Sequence, residues 1–261
     1  MESEDRTQAL TFWEHLEELR RVLFRMVAVA VAGMLVAFAF KEPLFEVVMA
    51  PHRPDFWLYR GLRWLAVTTG MDALNPGDFH VKLINTQLAG QFVTHMSVSL
   101  YAGIVLVSPY LLYALFGFIA PGLYTRERRY AVRVLSAGYL LFLTGVLLNY
   151  FLLYPLTFRF LALYQVSEEV VNTITLTSYV DTLAMMSLLM GIVFEIPVVC
   201  WLLGKLGWLN AARMRAWRKQ VVVALLVVAA VITPTSDVFT LLMVACPMWL
   251  LYEASIWMVR K

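Results

Sequence analysis

Long apolar runs separated by short polar segments dominate the hydropathy pattern of the chain. The hydrocarbon core of a bilayer, roughly 30 Å thick, is crossed by about 20 apolar residues in a helix. Five runs meet this length, at about residues 22–40, 92–118, 134–154, 179–203 and 238–259. A sixth run at about 220–233 holds only 12 continuous apolar residues, and we interpret it as a short span between two clear ones. The pattern therefore predicts six transmembrane helices.

Two segments outside these runs have patterns of their own. Residues 8–21 predict an amphipathic helix on the membrane surface, because Phe12, Leu16 and Leu19 recur on one helical face. Residues 41–91 combine four prolines with a stretch rich in Trp and Tyr. Since Trp and Tyr prefer the membrane–water interface, we expect an outer cap of short helices there.

Composition and charge distribution support a membrane protein with a defined orientation. Hydrophobic residues make up 61% of the 261 residues and charged residues 15%, against roughly 45–50% and about 25% in soluble domains. With six spans, 15 of the 21 basic residues fall on the side of the two termini. Basic loops remain cytoplasmic, so both termini are predicted to be cytoplasmic. Both cysteines lie in apolar runs, and no disulfide framework is indicated.

The predicted fold is one all-α membrane domain over residues 1–261. Three prolines fall within predicted spans: Pro109, Pro197 and Pro247. Each removes a backbone donor and is expected to kink its helix. Bent helices can form a concave bundle rather than a straight cylinder.

Catalytic and cofactor motifs are missing from the sequence. It holds neither G-x-x-x-x-G-K-[ST] nor G-x-G-x-x-G, so ATP hydrolysis by this chain is not expected. The four histidines lack metal-ligand spacing. His95 lies near Ser97 and Ser99 in the second span, but no acid orients them, and a hydroxyl-lined helix surface is the better interpretation. We therefore expect that the chain is not an enzyme and that it binds no cofactor, metal or nucleic acid.

Acidic residues are the informative candidates. Glu195 lies within the fourth span, where a carboxylate costs about 2.5–3.5 kcal/mol on insertion scales and is a functional candidate by default. Packing against a neighbouring helix is its alternative role. On the cytoplasmic side, Glu127 stands among arginines, and Glu17 and Glu18 precede the first span. These carboxylates suit a guanidinium ligand. On charge alone, a solvated loop in which arginines neutralise Glu127 is favoured, because the positive surface repels a cationic ligand.

Four motifs resemble those of the TatC family of the twin-arginine translocation system. They are the segments His15–Arg20 (HLEELR), Phe118–Tyr124 with Glu127–Arg129, Phe194–Pro197 (FEIP) and Thr233–Asp237 (TPTSD). They occur in the family's order, at matching positions between the six predicted spans. The first outside segment is longer than is usual for the family.

The resemblance implies a function and a set of site residues. Glu18 and Glu127 would bind the paired arginines of a signal peptide on folded cargo, with Arg20 and Phe118 helping to shape the site. Glu195 would serve partner docking or the transport step, facing the hollow of a glove-like bundle. The implied partners are TatA-like and TatB-like single-span subunits, membrane lipid and further copies in a homo- and hetero-oligomer. The implied setting is the bacterial cytoplasmic membrane and its proton-motive force.

Two other functions stay open from the residues alone. A proton-coupled small-solute transporter would use Glu195 as its ionisable site, but it predicts several ionisable residues at mid-membrane depth. A structural scaffold would require neither Glu18 nor Glu127. Binding of a twin-arginine peptide, compared with its twin-lysine version, separates the three.

Overall fold

The amphipathic segment and the first apolar run form one continuous helix in the computed structural model. The structure describes residues 12–71, 75–77, 81–119, 131–165, 167, 172–233 and 237–260. Residues 8–11 of the predicted amphipathic helix lie outside these ranges. Within the described residues the helices are α1 (Phe12–Ala39), α2 (Lys41–Met49), α3 (Trp57–Thr69), α4 (Gly90–Ile119), α5 (Ala131–Leu148), α6 (Tyr154–Leu163), α7 (Leu176–Val193), α8 (Ile196–Lys205), α9 (Ala211–Ala216), α10 (Arg218–Ile232) and α11 (Val238–Arg260).

Five helical segments of the described chain are long and apolar enough to cross a membrane. They are Leu16–Ala39, Gly90–Phe118, Val134–Leu163, Leu176–Lys205 and Val238–Val259. The short run at about 220–233 forms α10, whose 15 residues extend about 22 Å at 1.5 Å per residue. The six-span count and the cytoplasmic position of both termini stay predictions.

The first and second spans cross in direct backbone contact. A Cβ atom on Gly103 would lie 2.4 Å from the Met34 nitrogen, and one on Gly33 would lie 2.9 Å from the Gly103 carbonyl oxygen. Small residues allow this approach of two backbones in a membrane. Phe38, near the end of α1, meets Phe92, near the start of α4, edge to face at 6.4 Å. The two helices are therefore antiparallel.

Four of the spans contain a proline, and the helix responds to it in different ways. In α4, Pro109 cannot donate to the Val105 carbonyl oxygen, and the Ser108 hydroxyl donates to it instead at 2.7 Å. Pro197 begins α8 directly after the break that ends α7. A π-helical turn over Asn149–Leu153 precedes Pro155 and joins α5 to α6. Pro247 lies inside α11, which continues through it. The kinks expected at Pro109 and Pro247 stay predictions.

Buried tyrosines attach the cap helices to the third and fourth spans. Tyr59 of α3 donates to the Pro155 carbonyl oxygen at 2.9 Å, and burial raises the pKa of its hydroxyl. Tyr150 and Tyr179 donate to the carbonyl oxygens of Val47 and Val48 at 2.7 and 2.9 Å. These carbonyls belong to the last turn of α2, where a helix leaves acceptors that its own next turn does not fill, although the Val47 carbonyl also accepts from the Ala50 amide. The hydroxyls therefore complete the C-terminus of α2 and anchor the cap.

A short parallel strand pair also joins the cap to the loop between the third and fourth spans. Strand β1 (Leu83–Ile84) pairs with β2 (Ile174–Thr175), which directly precedes α7. The Arg159 guanidinium of α6 donates to the Pro76 carbonyl oxygen at 2.7 Å. The end of the bundle that carries residues 41–91 is called the cap end below, and the opposite end the loop end.

Candidate functional site

Glu18 and Phe118 lie at the same level of the molecule. Glu18 precedes Gly33 by 15 residues and Phe118 follows Gly103 by 15 residues, and these two glycines mark the crossing of α1 and α4. At 1.5 Å per residue, both residues lie about 22 Å from the crossing, at the loop end. Two of the predicted peptide-binding residues therefore share one end of the first helix pair.

The two neighbouring glutamates of α1 have different environments. Glu17 accepts a hydrogen bond from Arg21 at 2.6 Å, in an exposed pair one helical turn apart. Glu18 is half-buried, because it lies on the same helical stripe as Val22, Met26 and Gly33. Arg20 is exposed. Of the two carboxylates, Glu18 is thus the one that stays available for a ligand beside α4.

The other two predicted peptide-binding residues lie at the end of α4 and beyond it. Phe118 is half-buried in the last turn of α4. Glu127 belongs to residues 120–130, which lie outside the described residues. The expected pairing of Glu18 with Glu127 stays a prediction.

Glu195 lies at a break in the fourth span. The Glu195 amide donates to the Ile192 carbonyl oxygen at 3.0 Å, a tight turn that ends α7. The helix resumes with α8, whose first turn contains Pro197, a residue suited to a helix start. Glu195 is ten residues before Lys205, the end of this span, and therefore about 15 Å from it. The carboxylate is nearer to the loop end than to the cap end.

The Glu195 carboxylate faces a small apolar cavity. The cavity measures about 90 Å³, and among the described residues that line it Glu195 is the only ionisable one. Its walls are the last turns of α4, the first turns of α5 and one face of α8: Leu112, Leu115, Phe116, Val134, Leu135, Gly138, Val198, Val199 and Leu202. The Glu195 Oε1 atom is buried and has no hydrogen-bond partner among the described residues. A buried polar atom of this kind is costly and marks a place where a partner group would be stabilised.

Gly138 makes room for this carboxylate. A Cβ atom built on Gly138 would lie 3.1 Å from Glu195 Oε2 and 3.5 Å from Oε1. Gly138 is not recognisable from the sequence, because a glycine in an apolar run carries no periodic signal. Its role depends on the contact between α5 and the break after α7.

Two of the helices that line the cavity are connected in the sequence by the segment that contains Glu127. Residues 120–130 connect α4 to α5, and both helices contribute side chains to the cavity at the ends facing this segment. Phe116 lines the cavity, while Phe118 is two residues further along the same helix. The Glu195 cavity and the predicted peptide-binding residue Phe118 therefore share helix α4.

A second acidic residue of the spans has a structural partner. Glu253 in α11 accepts a hydrogen bond from Arg218 at the start of α10, at 2.6 Å. Tyr252 donates to the Met214 carbonyl oxygen at 2.9 Å nearby. Glu253 thus joins α11 to α10, and Tyr252 joins α11 to α9. In the described part of the chain, no group of three or more His, Cys, Asp or Glu side chains could hold a metal ion.

The fold and these positions define a multi-pass helical membrane protein with a carboxylate facing an apolar cavity. Residues 14–247 match the family model described as Sec-independent protein translocase protein (TatC). The chain belongs to the TatC family.

Curated relatives and solved structures agree with this membership. The chain is 33% identical over 256 residues to the Sec-independent protein translocase protein TatC of Koribacter versatilis, covering 97% of this chain and 86% of the relative. Identity is also 33% to the Deinococcus radiodurans protein of that name, covering 95% and 85%. A crystal structure of the twin-arginine translocase receptor TatC in DDM matches with a TM-score of 0.77 at 29% identity, covering 95% of this chain and 100% of that chain. The chain is therefore a component of a Sec-independent protein translocase.

Proposed function

We propose that this chain is the receptor and core subunit of a twin-arginine translocation complex, which binds signal peptides and mediates export of folded proteins. The observation that carries the proposal is the half-buried Glu18 at the level of Phe118, which forms no ion pair within the described residues, whereas its neighbour Glu17 is paired with Arg21. The match to the solved twin-arginine translocase receptor supports it.

Capture of the paired arginines is proposed to use two carboxylates. A guanidinium presents a planar fork of donors that matches a carboxylate, and such pairs are stronger than neutral hydrogen bonds. Glu18 supplies one carboxylate from α1 and Glu127 the other from the segment after α4. Phe118 and Arg20 shape the site around them. The positive charge of this side repels cationic segments in general. The two carboxylates overcome this repulsion only for a peptide whose two guanidinium groups reach both of them.

Glu195 is proposed to act after peptide capture. Its Oε1 atom, which has no hydrogen-bond partner among the described residues, belongs to a carboxylate that lines an apolar cavity. The walls of this cavity include the two helix ends that flank residues 120–130. A peptide held at Glu127 and Phe118 would shift these ends and thereby change the access to Glu195. A polar group on a TatA-like or TatB-like single-span helix is the expected partner of the carboxylate. The proton-motive force is the proposed energy source.

The proposal includes a topology and a location. Six spans, with α10 as the short fifth span, would place both termini in the cytoplasm of a bacterium and the cap end outside. The complex would contain further copies of this chain and the single-span subunits in the cytoplasmic membrane. No chemical reaction is assigned to the chain.

A proton-coupled small-solute transporter is the less supported alternative. It would require a chain of ionisable groups through the membrane, whereas the described residues lining the Glu195 cavity are otherwise apolar.

Peptide binding to matched glutamate variants tests the proposal. The full-length protein in detergent is titrated with a labelled twin-arginine signal peptide and with its twin-lysine version. Glu18→Gln and Glu127→Gln should each weaken binding of the arginine peptide about 10-fold or more, the value of one lost charge-assisted pair. Glu17→Gln is the control, because Glu17 is engaged by Arg21. Equal binding of both peptides, or unchanged affinity in both site variants, would contradict the receptor function.

A further inference from the structure

The cap end carries a second cavity with a buried histidine, unrelated to the predicted peptide site. It measures about 440 Å³ and lies between α2, the first turns of α4 and the start of α7. The described residues that line it are Lys41, Phe45, Met49, Gln91, Phe92, His95 and Leu176.

His95 is a buried side chain with an unused ring nitrogen. It is 7% exposed, and its Nε2 atom is buried with no hydrogen-bond partner among the described residues. The ring stacks on Phe38 at 4.0 Å between centroids and lies 5.7 Å from Phe45. The two aromatic rings hold the imidazole in place without satisfying its nitrogen. A buried polar atom in a native structure is normally hydrogen-bonded, so a ligand is the natural partner here.

The polar groups around His95 favour an anion. Lys41 lines the same cavity, and within the described residues it forms no ion pair. Gln91 adds an amide from the first turn of α4, a 30-residue helix whose N-terminus carries partial positive charge. Lys41, Phe45 and Met49 follow at intervals of four residues, so they share one face of α2. Glu42 and Glu46 are exposed and lie one position further round that helix.

The position of the cavity favours an amphiphilic anion. Lys41 is two residues beyond the end of the first span, and Gln91 is next to the first residue of the second span. Both therefore lie at the depth of the lipid headgroups, where Lys side chains reach the interface. Phe45, Met49, Phe92 and Leu176 supply the apolar part of the cavity lining. A phosphate with an attached acyl glycerol matches this combination of charge and apolar surface.

We propose that this cavity binds an anionic phospholipid of the leaflet at the cap end, with the phosphate held by Lys41 and His95. The acyl glycerol part lies against the apolar wall formed by α2, α4 and α7. The bound lipid bridges the cap helix α2 to the second span. The site is independent of signal-peptide binding, because it lies at the opposite end of α4 from Phe118.

Native mass spectrometry of the full-length protein in detergent tests the lipid site. Phosphatidylglycerol should be retained about 10-fold more strongly than phosphatidylcholine, as expected for a charge-assisted contact with the phosphate group. Lys41→Met and His95→Phe should each remove most of this preference. His95→Gln, which keeps an N–H donor, should retain part of it, and Lys82→Met serves as the control because Lys82 is exposed in the cap and does not line the cavity.

Three outcomes would overturn the proposal. The first is retention of phosphatidylglycerol no stronger than that of phosphatidylcholine. The second is equal retention of phosphatidylglycerol by Lys41→Met, His95→Phe and the original protein. The third is competition by inorganic phosphate as strong as that by a short-chain phosphatidylglycerol, which would indicate a site for free anions. Lys41 is exposed, so Lys41→Met keeps the test decisive if His95→Phe fails to fold.

Discussion

The tyrosine hydroxyls that attach the cap and the carboxylate of Glu195 are buried polar groups with opposite hydrogen-bonding states. At the cap end, the hydroxyls of Tyr59, Tyr150 and Tyr179 donate to backbone carbonyls of other elements at 2.7 to 2.9 Å. Towards the loop end, Glu195 keeps a buried oxygen without a partner, the only carboxylate oxygen in this state among the described residues. A satisfied polar group stabilises the fold, whereas an unsatisfied one costs stability and persists where function requires it.

The difference separates two roles along the same helices. The tyrosine bonds fix the third and fourth spans to the cap, so this end provides a rigid frame. The break between α7 and α8 leaves the opposite half of the fourth span free to present Glu195 to the cavity. Substitutions at the two ends should therefore affect different measurements.

Removing the Glu195 carboxylate should have the largest effect on transport. Glu195→Ala should reduce export of a twin-arginine cargo about 10-fold or more, if the carboxylate makes one charge-assisted hydrogen bond to a partner. Thermal stability in detergent should stay the same or rise, because the unpartnered oxygen is removed. Cargo export and peptide affinity are measured side by side in membranes with equal protein levels. Equal loss of peptide binding and export would contradict a late role for Glu195.

Filling the space beside Glu195 should have an intermediate effect. Gly138→Ala places a methyl group 3.1 Å from Glu195 Oε2, so the carboxylate must shift. Export should fall several-fold, on the order of 1 kcal/mol, while peptide affinity is retained. Gly117→Ala is the matched control, since a Cβ there meets nothing within 4 Å. Identical export by the two alanine variants would show that the geometry around Glu195 is not important.

Removing a tyrosine hydroxyl at the cap end should affect stability alone. Tyr59→Phe loses the bond to the Pro155 carbonyl oxygen and leaves this buried acceptor short of a donor. The free energy of unfolding in detergent should fall by about 1 to 3 kcal/mol, with unchanged peptide affinity. Denaturant unfolding monitored by circular dichroism measures the change. A weakened peptide affinity in correctly folded Tyr59→Phe would show that the two ends are coupled.

The positions of the spans followed from local sequence. Length and hydropathy alone indicate where helices cross the bilayer, because each span must satisfy its backbone internally. Five predicted spans match helical segments of the structure, although the third continues nine residues past 154, to Leu163. The predicted third span ends at Tyr154 and therefore leaves out Pro155, which follows the π-helical turn inside the observed helical segment.

Much of the candidate site was not predictable. The motif around Glu18 indicated two adjacent carboxylates, but the pairing of Glu17 with Arg21 was not predicted from it. His95 was assigned to a hydroxyl-lined helix surface, whereas its ring is stacked on Phe38 and lines a cavity with Lys41. Gly138 carried no signal at all. Each of these properties depends on residues far apart in the chain.

The sequence by itself determined the class of protein, the long spans and the motifs that place the chain in the TatC family, because hydropathy and short motifs are local properties. The tertiary structure decided that Gly33 and Gly103 bring two helices into backbone contact, that Gly138 faces Glu195, and that His95 and Lys41 line one cavity. These contacts depend on which helix faces are packed together. That choice is made by side-chain shape and size across helices, and no periodicity within one helix records it.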